Sequence, residues 1–431
     1  MSIDKMNKKF ILPKYRQQLM AKSTAELRFV KQHIKSDFAP FSKDEAALYE
    51  IEPVVLFGSA NREQPSNTRR FIEKEDENGK YFINPNAKQV DEATIMCVGD
   101  LMGEPKMQAA SFFEDSFNFR GHFEYVKDIF ESSDMTIGNL ETTVCEHAPY
   151  ALEAHRINDK FHCNAPIEYL DAIKYGGIDM LATANNHSLD CGINGVKETL
   201  FHIKKYGFGS TGTFVPENKK KHLMVDINGI KVAILSYTTF SSNTSKLTEL
   251  GKGAFINIFD ANKAKQAIDV AKKDGAEFVL FYIHWGFGTS YQHEVGKVPL
   301  KQAPMIAEAG ADYIVGSHPH CLQKYDRVKT ADGRVVPVAY SIGNFITSDS
   351  AKVAKDNIIL TIKIKKENGK VRIIDENYIP CHVFNNYLGA SYVAVPAISK
   401  LNGGAESEVF SSVCDRAKAV LGNKIKMYGD E

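Results

Sequence analysis

The chain has 431 residues, room for one large core with appendages or for two domains. Lys plus Arg equals Asp plus Glu at 53 each, so no overall field draws the protein to nucleic acid or to an anionic membrane, and a nucleic-acid role is excluded. The seven cysteines, at 97, 145, 163, 191, 321, 381 and 414, are odd in number and contain no CxxC pair; this excludes a disulfide framework and a zinc knuckle and fits reduced thiols.

The N-terminal MSIDKMNKKFILPKYRQQ carries positive charge without an apolar run behind it, and no later stretch approaches the length of a membrane span. A cytoplasmic protein with no transmembrane segment is expected. Residues 1–90 read as an N-terminal extension, half helix and half loop. Their first forty positions hold nine Lys or Arg against three Asp or Glu, KYRQQLMAKSTAELRFVKQHI has helical apolar spacing, and NREQPSNTRRFIEKEDENGKYFINPNAKQVDE is polar and turn-rich. The basic helix face is solvated or serves as a docking element for a partner.

From residue 94 the runs TIMCV, DMTIG, IDMLATA, KVAILSY, EFVLFYI, DYIVG and VVPVAYS alternate with the amphipathic segments APIEYLDAIKYGG, NGVKETLFHIKKYG and ANKAKQAIDVAKKDG. That alternation predicts an α/β layered fold. NIILTIKIKKENGKVRIIDENYI reads as a β-hairpin around ENGK, which makes the sheet mixed. Residues 91–380 therefore form the central domain, and residues 381–431 read as a C-terminal helical extension broken at Gly403 and Gly404.

Almost every apolar run ends in a residue type that binds metal. TIMCV leads into Gly99-Asp100, DMTIG into Asn139-Leu140-Glu141, IDMLATA into Asn185-Asn186-His187, EFVLFYI into His284-Trp285, and DYIVG into Ser317-His318-Pro319-His320. In open α/β sheets the carboxyl ends of strands face a common crevice, where side chains from several strands meet. Two carboxylates, an amide and three imidazoles form an oxygen and nitrogen donor set suited to Mn, Fe or Zn. Two ions bridged by a carboxylate would use that many ligands. In His318-Pro319-His320 an extended backbone held by proline would put both rings on one face.

The ordered series GD, NLE, ANNH with Asp190 three residues on, HWG, GSHPH and YSIGNF resembles the bacterial capsule-synthesis family of the PgsA/CapA type, a branch of the calcineurin-like metallophosphoesterases. The resemblance covers residues 94–380. It implies an α/β/β/α sandwich of two mixed sheets, flanked here by the N-terminal and C-terminal extensions, with a dinuclear centre at one end. Asp100, Glu141 and His320 would hold one ion, and Glu141, Asn186, His284 and His318 the other, with Glu141 as the bridge. His187, oriented by Asp190, would act on the substrate as general acid or charge stabiliser.

Two departures from calcineurin-like enzymes stand out. Asp100-Leu101-Met102 replaces Asp-x-His, and Glu141 replaces the bridging Asp. Both recur in the capsule branch and weaken a phosphatase reading. Asn139, Asn185 and Asn344 are candidates for contacts to ligand residues or substrate, and Trp285 for a pocket wall. Tyr340 and Ser341 would shape the floor. Arg156, Lys160 and His162 lie in a loop where they could meet a substrate carboxylate or stand in solvent. Cys97, Cys191 and Cys321 neighbour motifs but read as buried thiols rather than nucleophiles.

The implied function is metal-dependent hydrolysis of an amide, peptide or poly-γ-glutamate-like substrate. The alternatives are a peptide epimerase exchanging a Cα proton on the same fold, a non-catalytic accessory docked to a polymer-synthesis complex, and a phosphoesterase.

Overall fold

The structure is a computed structural model that describes residues 70–430 except 88–89, 114–115, 157–162, 216–219, 240–254, 289–290 and 405–406. In chain order its main strands are β1 (Ile72–Asp76), β2 (Gly79–Ile83), β3 (Glu92–Met102), β4 (Met135–Glu141), β5 (Met180–Ala182), β6 (Gly209–Thr211), β7 (Leu223–Ile227), β8 (Ile230–Thr238), β9 (Phe278–His284), β10 (Tyr313–Ser317), β11 (Tyr325–Lys329), β12 (Val335–Ala339), β13 (Asn344–Ile346), β14 (Asp356–Glu367), β15 (Lys370–Tyr387) and β16 (Ala390–Pro396). The helices used below are α1 (Glu168–Tyr175), α2 (Gly192–Lys205), α3 (Ala261–Lys273), α4 (Lys297–Ala309) and α5 (Glu408–Leu421).

One sheet runs β1-β2-β7-β8-β9-β10-β12-β11 and the other β16-β15-β14-β3-β4-β5-β6, with β13 beside β3. Both are mixed. β8, β9, β10 and β12 are parallel in the first sheet, as are β3, β4, β5 and β6 in the second. Antiparallel strands complete both sheets, among them β7 against β8 and β14 against β3 and β15.

Alternation along each strand shows how the layers stack. Ile95, Cys97 and Ile137 of the second sheet share an inner core with Val232, Ile234, Leu280 and Tyr282 of the first. The intervening Met96 and Val98 face outward onto Leu170 and Ile173 of α1. Ala233, Leu235, Val279 and Phe281 face Ile268 of α3 and Ile306 of α4. Because side chains alternate faces and each sheet is covered on both sides, the parallel strands are apolar throughout rather than half polar. The result is the α/β/β/α sandwich that the resemblance implies.

Several expectations need correction. The turn-rich stretch before residue 90 contains the antiparallel hairpin β1–β2, and β2 adds to the edge of the first sheet through Phe82 and Ile83 beside β7. Strand propensity in RFIEKED and KYFI was hidden by their charges. The expected helix KYRQQLMAKSTAELRFVKQHI lies outside the described residues. The hairpin around ENGK forms as expected, with Asn368 and Gly369 both at positive φ. Its second strand, however, runs to Tyr387 and is followed by β16, so residues 381–396 belong to the sheet and the helical part of the C-terminus is α5.

A buried histidine in the outer core gives the fold a pH limit. His122 is 2% exposed, and its Nδ1–H donates to the Ser391 carbonyl at 2.7 Å. Burial pushes its pKa from 6.5 down to about 4, although the carbonyl favours the charged ring. Between those values the unfolded chain takes up a proton that the folded chain refuses, so stability is full above pH 6.5 and falls as pH falls toward 4. The loss should reach roughly 3 kcal/mol. His122→Gln should flatten the urea midpoint between pH 7 and pH 4 by that amount; equal slopes for the two proteins would contradict the assignment.

Candidate metal centre

The parallel strands of both sheets end at the same edge of the sandwich, and there the dispersed candidates meet. Asp100 comes from β3, Glu141 closes β4, His284 closes β9, and His318 and His320 follow β10. His320 Nδ1 lies 3.4 Å from Asp100 Oδ2, and its Nε2 lies 3.8 Å from Glu141 Oε1. His284 Nε2 is 3.3 Å from the same Glu141 oxygen and 2.7 Å from Asn186 Oδ1. The His284 and His318 rings are 4.4 Å apart between centroids. Two groups of ligand atoms result, Asp100–Glu141–His320 and Glu141–His284–His318, each spanning no more than 4.8 Å and both containing Glu141.

Local backbone chemistry aims these groups. Gly99 is the extra residue of a β-bulge, because Val98 pairs with Gly138 while Asp100 pairs with Asn139. A Cβ on Gly99 would stand 1.8 Å from the Gly343 carbonyl oxygen, so only glycine lets β3 and the loop before β13 close on each other at this point. The expectation for His318-Pro319-His320 was wrong in its route: His318 has φ +91° and His320 φ +57°. The backbone there is left-handed rather than extended, and the two rings, 5.5 Å apart and tilted by 61°, converge through a tight turn. Such backbone strain in non-glycine residues persists where surrounding contacts over-determine it.

Glu141 is fully buried, and neither of its carboxylate oxygens has a hydrogen-bond partner. An ionised carboxylate without donors is costly in a protein interior. Burial, with the Asp100 charge beside it, holds its pKa well above the usual carboxylate range. Distances of 3.3 and 3.8 Å to two imidazole nitrogens match the separation of donors sharing a cation at bonds of about 2 Å. The donor set and this orphaned carboxylate thus fit divalent cations.

The neighbouring charges are polarised to match. Burial alone would raise Asp100, but the His320 hydrogen bond and the His284 and His320 charges take it below the carboxylate range. Burial works against a charged His320, yet Glu141 and Asp100 lift it to about 10. Burial takes His284 down to about 3, and burial together with His284 and His320 takes His318 well below its ordinary value.

A surrounding layer of hydrogen bonds fixes the ligand rings. Asn139 Nδ2 donates to Asp100 Oδ1 at 2.7 Å. Asn344 Oδ1 accepts from His320 Nδ1 at 2.7 Å, so Asn344 orients the ring of that candidate ligand. Asn185 is fully buried, donates to the Leu140 carbonyl and Asn139 Oδ1, and accepts from the His187 backbone N–H. It supports the site from behind. Trp285 likewise belongs to the core: it is fully buried, stacks on Tyr340 and donates Nε1–H to the Tyr340 carbonyl at 2.9 Å. Tyr340 and Ser341 are buried with it.

His187 Nδ1 sits 2.7 Å from Asp190 Oδ2, which also accepts the Cys163 backbone N–H at 2.6 Å. Although burial opposes the charged ring, Asp190 raises His187 to about 9. Arg156 ends the helix Ala151–Arg156, but its side chain, with Lys160 and His162, lies outside the described residues. Burial pushes the thiols of Cys97 and Cys321 up to about 12, as expected of inert cysteines.

Ser317 was missed. Its Oγ lies 2.9 Å from His284 Nδ1 and leaves Nε2 as that ring's ligand nitrogen. The signal was its place at the end of β10, register partner of His284.

The family model described as "Bacterial capsule synthesis protein PGA_cap" matches residues 94–349. The PGA biosynthesis protein CapA of Bacillus subtilis (strain 168) is 29% identical over 259 residues, 58% of this chain and 62% of that protein. The capsule biosynthesis protein CapA of Bacillus anthracis is 28% identical over 293 residues, 65% of this chain and 66% of that protein. The alignments thus span just under two thirds of either relative's length. Among solved structures, the calcineurin-like phosphoesterase YfkN from Bacillus subtilis aligns over 76% of this chain and 97% of its own at 15% identity, with a TM-score of 0.39.

Proposed function

The chain belongs to the bacterial capsule synthesis protein family, and from that premise we propose that it is a metal-dependent hydrolase acting on amide bonds of a peptide or poly-γ-glutamate-like substrate at a dinuclear site. The observation that carries this reading is Glu141: fully buried, without a hydrogen bond to either oxygen, and common to two ligand groups. Asp100, Glu141 and His320 would hold one ion, and Glu141, Asn186, His284 and His318 the other, with Mn, Fe or Zn suited to the donors. When bound, such ions polarise a carbonyl and lower the pKa of water.

The chain's own groups supply the rest. Asp190 occupies His187 Nδ1, which leaves Nε2 as the nitrogen that can deliver a proton to the departing amide nitrogen while the C–N bond breaks and water's hydroxyl joins the carbonyl carbon. Asn139, Asn344 and Ser317 keep Asp100, His320 and His284 in place through the reaction. Among the described residues no helix is long and apolar enough to cross a membrane; docking to a polymer-synthesis complex is part of the proposal for the family role.

The test is the purified full chain, supplied with Mn, against γ-linked and α-linked oligoglutamates, with new amino termini read by mass spectrometry. Cleavage that disappears in His318→Ala is expected. Solvent deuterium at Cα with an intact backbone would make it an epimerase, turnover of phosphate monoesters alone a phosphoesterase, and activity seen only with a membrane synthase an accessory.

A further inference from the structure

A second constellation lies outside the strand-end pocket and shares no residue with it. The segment after β4, residues 142–147, is tied to helix α2: the Val144 backbone N–H donates to Thr199 Oγ1 at 2.9 Å. Glu198 and His202 stand one turn apart on that helix, on the side facing the segment. The Glu146 backbone N–H donates to Glu198 Oε1 at 2.6 Å. The Cys145 thiol donates to Glu198 Oε2 at 2.9 Å, and His147 Nδ1 lies 2.9 Å from the same oxygen.

His202 is the anomaly. It is 4% exposed, and neither ring nitrogen has a hydrogen-bond partner. Its Nε2 stands 3.6 Å from Glu198 Oε1 and 3.7 Å from Glu146 Oε2. A charged imidazole between two carboxylates would close to hydrogen-bond length, about 2.7–2.9 Å. Donors bound to one tetrahedral cation at about 2.0–2.2 Å sit roughly 3.3–3.6 Å apart instead. Glu146, Glu198 and His202 each offer a ligand atom within 4.8 Å of the others, and the side chain of His147, 70% exposed, can swing from Glu198 to a fourth position.

We propose that Glu146, Glu198 and His202, with His147 as fourth donor, form a second divalent-cation site of zinc type. Carboxylate and imidazole donors suit zinc, and a fourth protein ligand that leaves no position open fits a structural rather than a catalytic role. Its work is to clamp the segment that follows Glu141 onto the helix that follows His187 and Asp190. The backbone N–H of Glu146 and the thiol of Cys145 orient Glu198, as outer-shell donors commonly orient ligating carboxylates.

The chelator-stripped full chain is titrated with zinc, and bound metal and melting temperature are read for wild type, His318→Ala and His202→Gln. The strand-end variant should keep one tight zinc equivalent and the zinc-induced rise in melting temperature. His202→Gln should bind one tight zinc equivalent fewer than wild type and show a smaller zinc-induced rise while staying folded by circular dichroism. Equal zinc content in His202→Gln and wild type, or loss of all tight zinc in His318→Ala, would overturn the site. Should His202→Gln not fold, Glu146→Gln, whose side chain is 18% exposed, should weaken zinc binding at least about tenfold; unchanged affinity there overturns the site as well. Amide hydrolysis at the strand ends can fail without affecting either readout.

Discussion

Glu141→Gln is expected to act in opposite directions on the metal-free and the metal-loaded protein. Without cations, Glu141 is a fully buried carboxylate lacking any hydrogen bond, beside the negative Asp100 that helps to raise its pKa. Removing the ionisable group spares the folded chain the cost of charging it there or of protonating it against its ordinary pKa, so the metal-free variant should gain roughly 1–3 kcal/mol over metal-free wild type. With Mn the order should invert. Ligation that favours the folded state adds about 2.7 kcal/mol at a hundredfold excess over the dissociation constant, and the variant, missing the residue common to both ligand groups, should gain none of it. Melting curves of both proteins with chelator and with Mn decide the matter. A variant less stable in chelator and still stabilised by Mn would show Glu141 to be an ordinary buried acid.

His187→Asn should lower kcat by about 10²–10⁴-fold, the usual contribution of a positioned acid or base, while bound metal stays at the wild-type level because His187 belongs to neither strand-end ligand group. Asp190→Asn should produce a smaller fall. It keeps a partner for Nδ1 but removes the charge that, against burial, holds the ring protonated. The alkaline limb of its pH–rate profile, where the proton-donating ring loses its proton, should accordingly move to lower pH. Unchanged kcat in His187→Asn would assign the proton to another group, and metal lost from that variant would make His187 a ligand instead.

Legibility in the sequence followed burial. The parallel strands are covered on both faces, so TIMCV, EFVLFYI and DYIVG stand out as apolar runs, and the polar residue ending each run marks both a strand end and a candidate for the site. That is why Asp100, Glu141, His284 and the pair at 318 and 320 are legible as candidates, and the fold brings them together. Strands at the edges give weaker signals: β1 reads IEKED, with four of its five residues exposed, and its charges resemble those of a loop. β16 follows β15 after a short turn at Leu388 and Gly389, both at positive φ, and the sequence does not separate it from the helical tail behind it.

Within the site, residue type was legible and direction was not. An asparagine beside a candidate ligand could contact substrate or hold the ligand, and the hydrogen bonds that Asn344 and Asn185 make are visible only in the fold. Trp285 adjoins His284, but side chains alternate across a strand. His284 turns toward the pocket and Trp285 into the core against Tyr340. The left-handed turn at His318 and His320 was out of reach, because a His-Pro-His string suggests extended backbone. The Glu198–His202 pair carries no signal of its own in the sequence, because Glu146 meets it only in the fold.

The central claim is that Glu141 joins two groups of ligands around cations at the strand ends. Crystals grown with Mn and measured on either side of the Mn absorption edge test it directly. The account predicts two anomalous peaks about 3.5–4 Å apart, one contacting Asp100 and His320, the other His284 and His318, and both within bonding distance of Glu141. Metal-replete crystals with no anomalous density at Glu141, or with peaks that do not touch it, would contradict the account.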